Sequence, residues 1–85
     1  MTTSINFRTA TETVSANIVN TAMPYQRMRS LAEYTFNSYD VKINKIGKST
    51  QVESDGTYQY DIYEAYVDSG SVDYIYFAIN THIEA

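Results

Sequence analysis

Residues 57–67 read TYQYDIYEAYV, and residues 72–82 read VDYIYFAINTH. Both stretches are rich in β-branched and aromatic residues, which suit a pleated, half-buried surface. Turn signals stand before each of them: residues 54–57, SDGT, contain the Asp-Gly pair of a tight hairpin, and residues 68–71 read DSGS. Together with the similar segment before them, they predict a three-stranded antiparallel meander at about 39–53, 57–67 and 72–82, with a bulge or bend near Gly47.

The register of the second hairpin can be predicted from its turn. A loop centred on residues 69–70 places Val67 opposite Val72, and this register brings Ile62 opposite Phe77. The predicted core face carries Tyr58, Tyr60, Ile62, Ile75, Phe77 and Ile79. The reverse face carries Tyr63, Ala65, Val67, Val72, Tyr74, Tyr76 and Ala78. Because no sequence remains to cover the reverse face, we expect it to be an interface with a partner or with a second copy of the chain.

The first 36 residues predict two helices. Thr9-Ala10-Thr11-Glu12 has the form of a capping box, in which a threonine hydroxyl accepts a hydrogen bond from a backbone amide three residues later. Apolar residues then recur every four positions, at Ala10, Val14, Ile18 and Ala22. Pro24 is compatible with the first turn of a further helix, for which Thr21 is the candidate cap. The pattern predicts helices at about 9–21 and 22–36, or a single kinked helix.

The expected fold class is α+β, with the two N-terminal helices packed on the core face of the meander. A chain of 85 residues is long enough for one core, so residues 1–85 are expected to form a single domain. The absence of cysteine excludes disulfides, thiolate metal sites and a cysteine nucleophile. The longest apolar run in the sequence, residues 74–79, is far shorter than the roughly 20 residues of a membrane span. We therefore expect a soluble, cytoplasmic protein with no membrane partner.

Charge is divided unevenly along the chain. Residues 1–48 hold all six cations and three acids, a net charge of +3, whereas residues 49–85 hold seven acids and no Lys or Arg, a net charge of −7. The acidic half would repel phosphate backbones and attract basic protein surfaces. A simpler interpretation is that these acids only keep a tyrosine-rich sheet soluble.

The sequence offers little for catalysis. It has one histidine, His82, and no recognisable nucleophile, phosphate-loop or metal-ligand motif. Asp61 and Glu64 are three residues apart on a predicted strand, so their side chains point to opposite faces and cannot work as an acid/base pair. We expect no enzymatic activity, no cofactor and no bound metal.

Protein binding agrees best with this composition. Nine tyrosines are interleaved with acids, and tyrosine is enriched at interfaces because it offers a large, rigid contact area and one hydroxyl. The candidate partner-binding residues are Tyr63, Tyr74, Tyr76, Asp61, Glu64 and Asp73. The sequence predicts a small acidic inhibitor or adaptor that binds a basic protein surface, or a homodimer. In size and charge it is similar to phage-encoded host inhibitors, including those that mimic nucleic acid.

Nucleic-acid binding is the alternative hypothesis. Three lysines recur every third residue along the first predicted strand, and two arginines lie on the nearby helix: Lys42, Lys45, Lys48, Arg27 and Arg29. Plentiful tyrosines would provide surfaces for base stacking. The overall pI of about 4.6 argues against this hypothesis.

Overall fold

Five strands and one helix make up the protein in a computed structural model that describes residues 3–68 and 73–84. In chain order the elements are β1 (Ser4–Arg8), β2 (Thr13–Val19), α1 (Pro24–Phe36), β3 (Val41–Glu53), β4 (Gly56–Val67) and β5 (Ile75–Glu84). They form a single sheet with the strand order β1-β2-β5-β4-β3. Neighbouring strands are antiparallel except β2 and β5, which are parallel. The prediction of two helices on a three-stranded meander is therefore wrong.

The first predicted helix, at 9–21, is wrong: these residues form a turn and strand β2, which pairs with β1. Apolar residues spaced by four fit one face of a helix, but they also fit one face of a strand, because four is a multiple of the strand period of two. Val14 and Ile18 are β-branched, as are Thr13 and Val19 at the ends of β2, and this composition favours the strand. Periodicity alone could not separate the two structures here.

The capping-box residues form a turn between β1 and β2. The Thr9 hydroxyl accepts a hydrogen bond from the Glu12 backbone amide at 3.0 Å, which is the bond that a helix cap would make. The backbone amide of Thr9 also donates to the Glu12 carbonyl at 2.7 Å, and this bond closes the hairpin. Threonine side chains make such local bonds in turns as readily as at helix ends, so the motif predicted the contact but not the element.

Helix α1 lies where the second helix was predicted. Pro24 stands in its first turn, and Asn37 follows its last residue in the left-handed conformation, with φ 51° and ψ 48°. The capping residue is Met23 and not Thr21, whose hydroxyl accepts a 3.5 Å bond from the Met23 amide. Met28 and Ala32 are fully buried against the sheet. The sheet face that α1 covers is called the helix side.

The opposite face of the sheet buries itself by curling. The two edge strands approach each other across it, since a Cβ atom added at Gly47 of β3 would lie 2.8 Å from the Phe7 Cζ of β1. The register of β3 against β4 shifts between Lys45 and Gly47, so the predicted bulge is present at this point of closure. We call this face the concave side.

Each side has its own hydrophobic core. The helix-side core contains Val19, Met28, Ala32, Val41, Tyr63, Ala65, Val67, Phe77 and Ile79. The concave-side core contains Ile5, Ala16, Tyr60, Ile62 and Ala78, with Phe7, Ile18, Ile46, Tyr58 and Tyr76 packed against it. Residues 9–21, which were expected to form a helix, thus provide β2, of which Ala16 belongs to the concave-side core and Ile18 packs against it.

The register of β4 against β5 differs by one residue from the predicted one. Ile62 pairs with Ala78, and Tyr63 pairs with Phe77. A slip of one residue moves every side chain of a strand to the other face relative to its neighbour, so the predicted core and reverse faces each mix residues from both sides. Val72, on which the prediction was based, lies outside the described residues, as does the turn at 69–71.

In the part of the chain that the structure describes, no helical segment has the length and apolar character required to span a bilayer.

Candidate functional site

The middle of the concave side is filled, and clefts remain near its two ends. Ile62 and Ala78 are fully buried in the middle. One cleft, of about 380 Å³, lies beside the β1–β2 turn, and its lining includes Glu12, Glu64 and Tyr76. The other, of about 420 Å³, lies beside the tip of the β3–β4 hairpin. We call them the turn cleft and the tip cleft.

Three tyrosine rings stand in a row that begins at the turn cleft, which Tyr76 lines, and we call them the tyrosine ladder: Tyr66, Tyr74 and Tyr76. The ring centroids of Tyr66 and Tyr74 are 5.2 Å apart, and those of Tyr74 and Tyr76 are 6.4 Å apart with nearly parallel planes. Asn44 of β3 donates its side-chain amide to the Tyr66 hydroxyl at 3.3 Å. Tyr74 is 46% exposed, so the ladder presents aromatic surface to solvent.

Two carboxylates lie near the Tyr76 end of the ladder. Glu64 is the cross-strand partner of Tyr76, and Glu12 lines the same cleft from the β1–β2 turn. Burial raises the pKa of the Tyr76 hydroxyl, and the charges of Glu12 and Glu64 raise it further. The hydroxyl therefore stays protonated at neutral pH and can both donate and accept hydrogen bonds.

The structure brings together half of the predicted partner-binding residues. Tyr76 and Glu64 line the turn cleft, and Tyr74 stacks beside Tyr76. The exposed Asp73 immediately precedes Tyr74 in the chain. Tyr63 and Asp61 lie on the helix side instead. Their separation follows from the alternation of side chains along β4, in which odd-numbered residues face the helix side.

Tyr63 is a core residue. It is 9% exposed beneath α1, and its ring meets that of Tyr25 edge to face at 5.5 Å. Burial raises the pKa of its hydroxyl, with smaller contributions from Tyr25 and Asp61. A residue in this position stabilises the attachment of the helix and is not available to a partner.

The five cations of the nucleic-acid hypothesis do not share one surface. Lys45 forms a 3.4 Å ion pair with Asp61 on the helix side, and Lys48 is the cross-strand partner of the same aspartate. Lys42 pairs across the strands with Tyr66, on the concave side. Lysines along an edge strand such as β3 discourage pairing with another chain, which explains their spacing without a ligand.

The arginines of α1 are exposed, and one of them is engaged within the fold. Arg29 lies 3.6 Å from Glu33 one turn along the helix and donates to the Val41 carbonyl at 3.4 Å. It thereby ties the helix to the start of β3. Arg27 is exposed on the same helix.

Tyr66 of the ladder and Glu12 of the turn cleft were not among the predicted site residues. Tyr66 follows Glu64 by two positions on β4, so strand alternation could have placed it on the same face. Glu12 could not have been found in this way. Its position depends on the pairing of β1 with β2 and of β2 with β5, and the sequence was interpreted as a helix at that point.

Within residues 3–68 and 73–84, no group of three or more histidine, aspartate or glutamate side chains is placed to hold a metal ion. No protein-family model, curated protein sequence or solved structure matches this chain.

Proposed function

We propose that the protein is a non-enzymatic binding module that takes a basic protein segment at the turn cleft. The observation that supports this most strongly is the tyrosine ladder, which is partly exposed and ends, at Tyr76, near the carboxylates of Glu64 and Glu12. Tyrosine rings offer contact area at a low entropic cost, and nearby carboxylates select for a cationic ligand. In this proposal the protein acts as an inhibitor or adaptor of a partner with a basic surface.

The ligand orientation follows from the cleft itself. The aliphatic part of a lysine side chain would lie along the exposed face of Tyr74, and its ammonium group would approach Glu64 or Glu12. Arg8 also lines the turn cleft, so it repels a cation that approaches from the β1 side. The ligand is therefore expected to enter from the side of Tyr66 and Tyr74.

A nuclear magnetic resonance titration with a peptide of alternating lysine and serine tests this proposal. The peptide should shift backbone resonances near Glu12, Glu64 and Tyr74, and a peptide with glutamate in place of lysine should leave them unchanged. Tyr74→Ser should weaken binding by about tenfold, since it removes the most exposed rung of the ladder without changing charge. Glu64→Gln should weaken binding by about threefold.

Matched variants separate a specific site from general attraction to an acidic protein. Tyr34 is 87% exposed at the end of α1, and Asp40 is an exposed acid outside both clefts. Tyr34→Ser and Asp40→Asn should each change the affinity by less than about twofold. Equal losses in test and control variants would refute the proposal, as would peptide shifts that map to the helix side.

Two further measurements test whether the turn cleft instead binds nucleic acid or a second copy of the chain. Duplex DNA added to the same sample should cause no shifts at moderate salt; binding with a steep salt dependence would instead support nucleic-acid recognition. Sedimentation should give a monomer, whereas a dimer dissociated by Tyr74→Ser would make a second copy of the chain the ligand of the ladder.

A further inference from the structure

The tip cleft combines aromatic, acidic and amide groups in one concavity. It is lined by Ile18, Asn20, Glu53, Ser54, Asp55, Tyr58, Tyr60 and Asn80. These residues come from β2, β4, β5 and the β3–β4 hairpin, so the cleft exists only in the folded chain. Tyr58 is six residues from Glu64 along β4, which places the two clefts about 20 Å apart.

Two tyrosines form one wall of the tip cleft. The rings of Tyr58 and Tyr60 are nearly parallel, with 18° between their planes and 6.4 Å between their centroids. Tyr60 is only 6% exposed and belongs to the concave-side core, so its ring is held by packing. Tyr58 is half-buried beside it and presents its ring to the cleft. The wall is therefore a rigid aromatic surface with one accessible ring.

The acidic groups of the tip cleft are positioned by the hairpin. The Tyr58 hydroxyl donates to Asp55 Oδ2 at 2.7 Å, which orients this carboxylate next to the aromatic wall. The same hydrogen bond is the largest cause of the raised pKa of Tyr58, and the charges of Glu53 and Asp55 also raise the pKa of Tyr60. The cleft is thus a region of negative potential against an aromatic face, and this combination favours an organic cation.

We propose that the tip cleft binds the guanidinium group of an arginine side chain. A guanidinium is planar and weakly hydrated, so it stacks on a tyrosine ring more readily than an ammonium group does. Its five N–H donors can pair with the carboxylates of Glu53 and Asp55 that line the cleft. The proposal rests on the proposed function only in that a basic partner would carry the arginine.

The test uses an isolated arginine, so that no partner has to be known. N-acetyl-arginine amide is titrated into the protein, and N-acetyl-citrulline amide serves as a neutral analogue of nearly the same shape. The arginine compound should cause saturable shifts at Asn20, Asp55, Tyr58 and Tyr60 with a millimolar dissociation constant, as expected for a ligand of this size. The citrulline compound should cause none. Equal shifts with both compounds, or no shift with either, would overturn the proposal.

Variants assign the binding to specific groups. Asp55→Asn keeps the shape of the side chain and removes its charge, and it should weaken arginine binding by at least about fivefold. Tyr58→Leu removes the ring and should weaken binding to a similar extent, whereas Tyr58→Phe keeps the ring and should retain most of the affinity. If Tyr58→Leu binds as tightly as Tyr58→Phe, the aromatic wall has no role and the proposal fails.

The two clefts can be tested independently. Glu64→Gln and Tyr74→Ser should leave the arginine titration unchanged, and Asp55→Asn should leave the lysine-peptide shifts at the ladder unchanged. Failure of the peptide titration with a normal arginine titration would reject the proposed function alone. The reverse result would reject the arginine site alone.

Discussion

The two sides of the sheet reach comparable burial by different means. On the helix side, α1 supplies a separate layer, and Met28 and Ala32 become fully buried against strands β3 to β5. On the concave side no helix is present in the described residues, and the sheet bends until Phe7 of one edge strand meets Gly47 of the other. A second layer gives a continuous cover, whereas curling fills the middle of a face and leaves its ends open. The two clefts are the open ends.

Charge distribution follows the same division. On the helix side, cations lie next to carboxylates, as in the pairs Lys45–Asp61 and Arg29–Glu33. On the concave side, Glu53, Asp55 and Glu64 lie next to tyrosines. Three of the seven acids in the second half of the sequence thus line the two clefts in the folded chain. This is why both proposals concern cationic ligands.

The largest expected effects test whether the concave-side core contributes as much to the free energy of unfolding as the helix-side core does. Met28 and Ile62 are both fully buried, one on each side. Met28→Ala and Ile62→Ala should each lower the free energy of unfolding by about 2–5 kcal/mol, because each leaves a cavity. Urea denaturation followed by circular dichroism measures both. Val52→Ala is the control, since Val52 is 81% exposed, and should change stability by less than about 0.5 kcal/mol.

An Ile62→Ala cost below about 1 kcal/mol, beside a large cost for Met28→Ala, would contradict the comparison. It would mean that water enters the concave side and that the curl is not closed.

The next effect concerns the closure itself. A methyl group at Gly47 would overlap the ring of Phe7, so Gly47→Ala should lower the free energy of unfolding by about 1–3 kcal/mol. Phe7→Leu removes the obstructing part of the ring at its own cost. The double variant should lose less free energy of unfolding than the two single variants lose together, because the shorter side chain makes room for the methyl group. Strictly additive costs would show that the two edge strands do not meet.

Part of this architecture could be predicted from the sequence and part could not. The position of α1, the strand character of residues beyond 40, the bulge near Gly47 and the turn before β4 each depend on local chemistry. The predicted packing of two helices on a meander depended on residues 9–21. Their apolar spacing fits a helix and a strand equally well. The β-branched composition of β2 favours the strand, and its pairing with β1 and with the distant β5 places it inside the sheet.

The candidate site was predicted incompletely for a related reason. Tyr74 and Tyr76 were predicted on one face, but a register wrong by one residue placed Tyr63 on that face and Glu64 on the opposite one, whereas Glu64 is the cross-strand partner of Tyr76. The true register depends on the β4–β5 turn, and the turn residues identified from sequence did not fix the loop length. The tip cleft could not be predicted because Ile18 of β2 lines it, and this part of the sequence was predicted to be a helix.

The smallest expected effect concerns the pKa of two buried tyrosines, one on each side of the sheet. Tyr60 on the concave side and Tyr63 on the helix side both have a pKa raised above the ordinary value of 10.0, chiefly by burial. The unfolded chain therefore loses these protons at a lower pH than the folded chain. The stability that they contribute is fully present below pH 10.0 and is lost as the pH rises through the folded-state values.

The neighbouring charges distinguish the two tyrosines. Glu53 is the second cause of the raised pKa at Tyr60, whereas Tyr25 is the second cause at Tyr63. Glu53→Gln should therefore lower the pKa of Tyr60 and leave that of Tyr63 unchanged, as followed by the ring carbon resonances of each tyrosine during a pH titration. Asp40→Asn is the matched removal of an acid outside the clefts and should move neither. If Glu53→Gln leaves Tyr60 unaffected, Glu53 does not contribute to the potential of the tip cleft. The guanidinium site would then depend on Asp55 as its one charged acceptor.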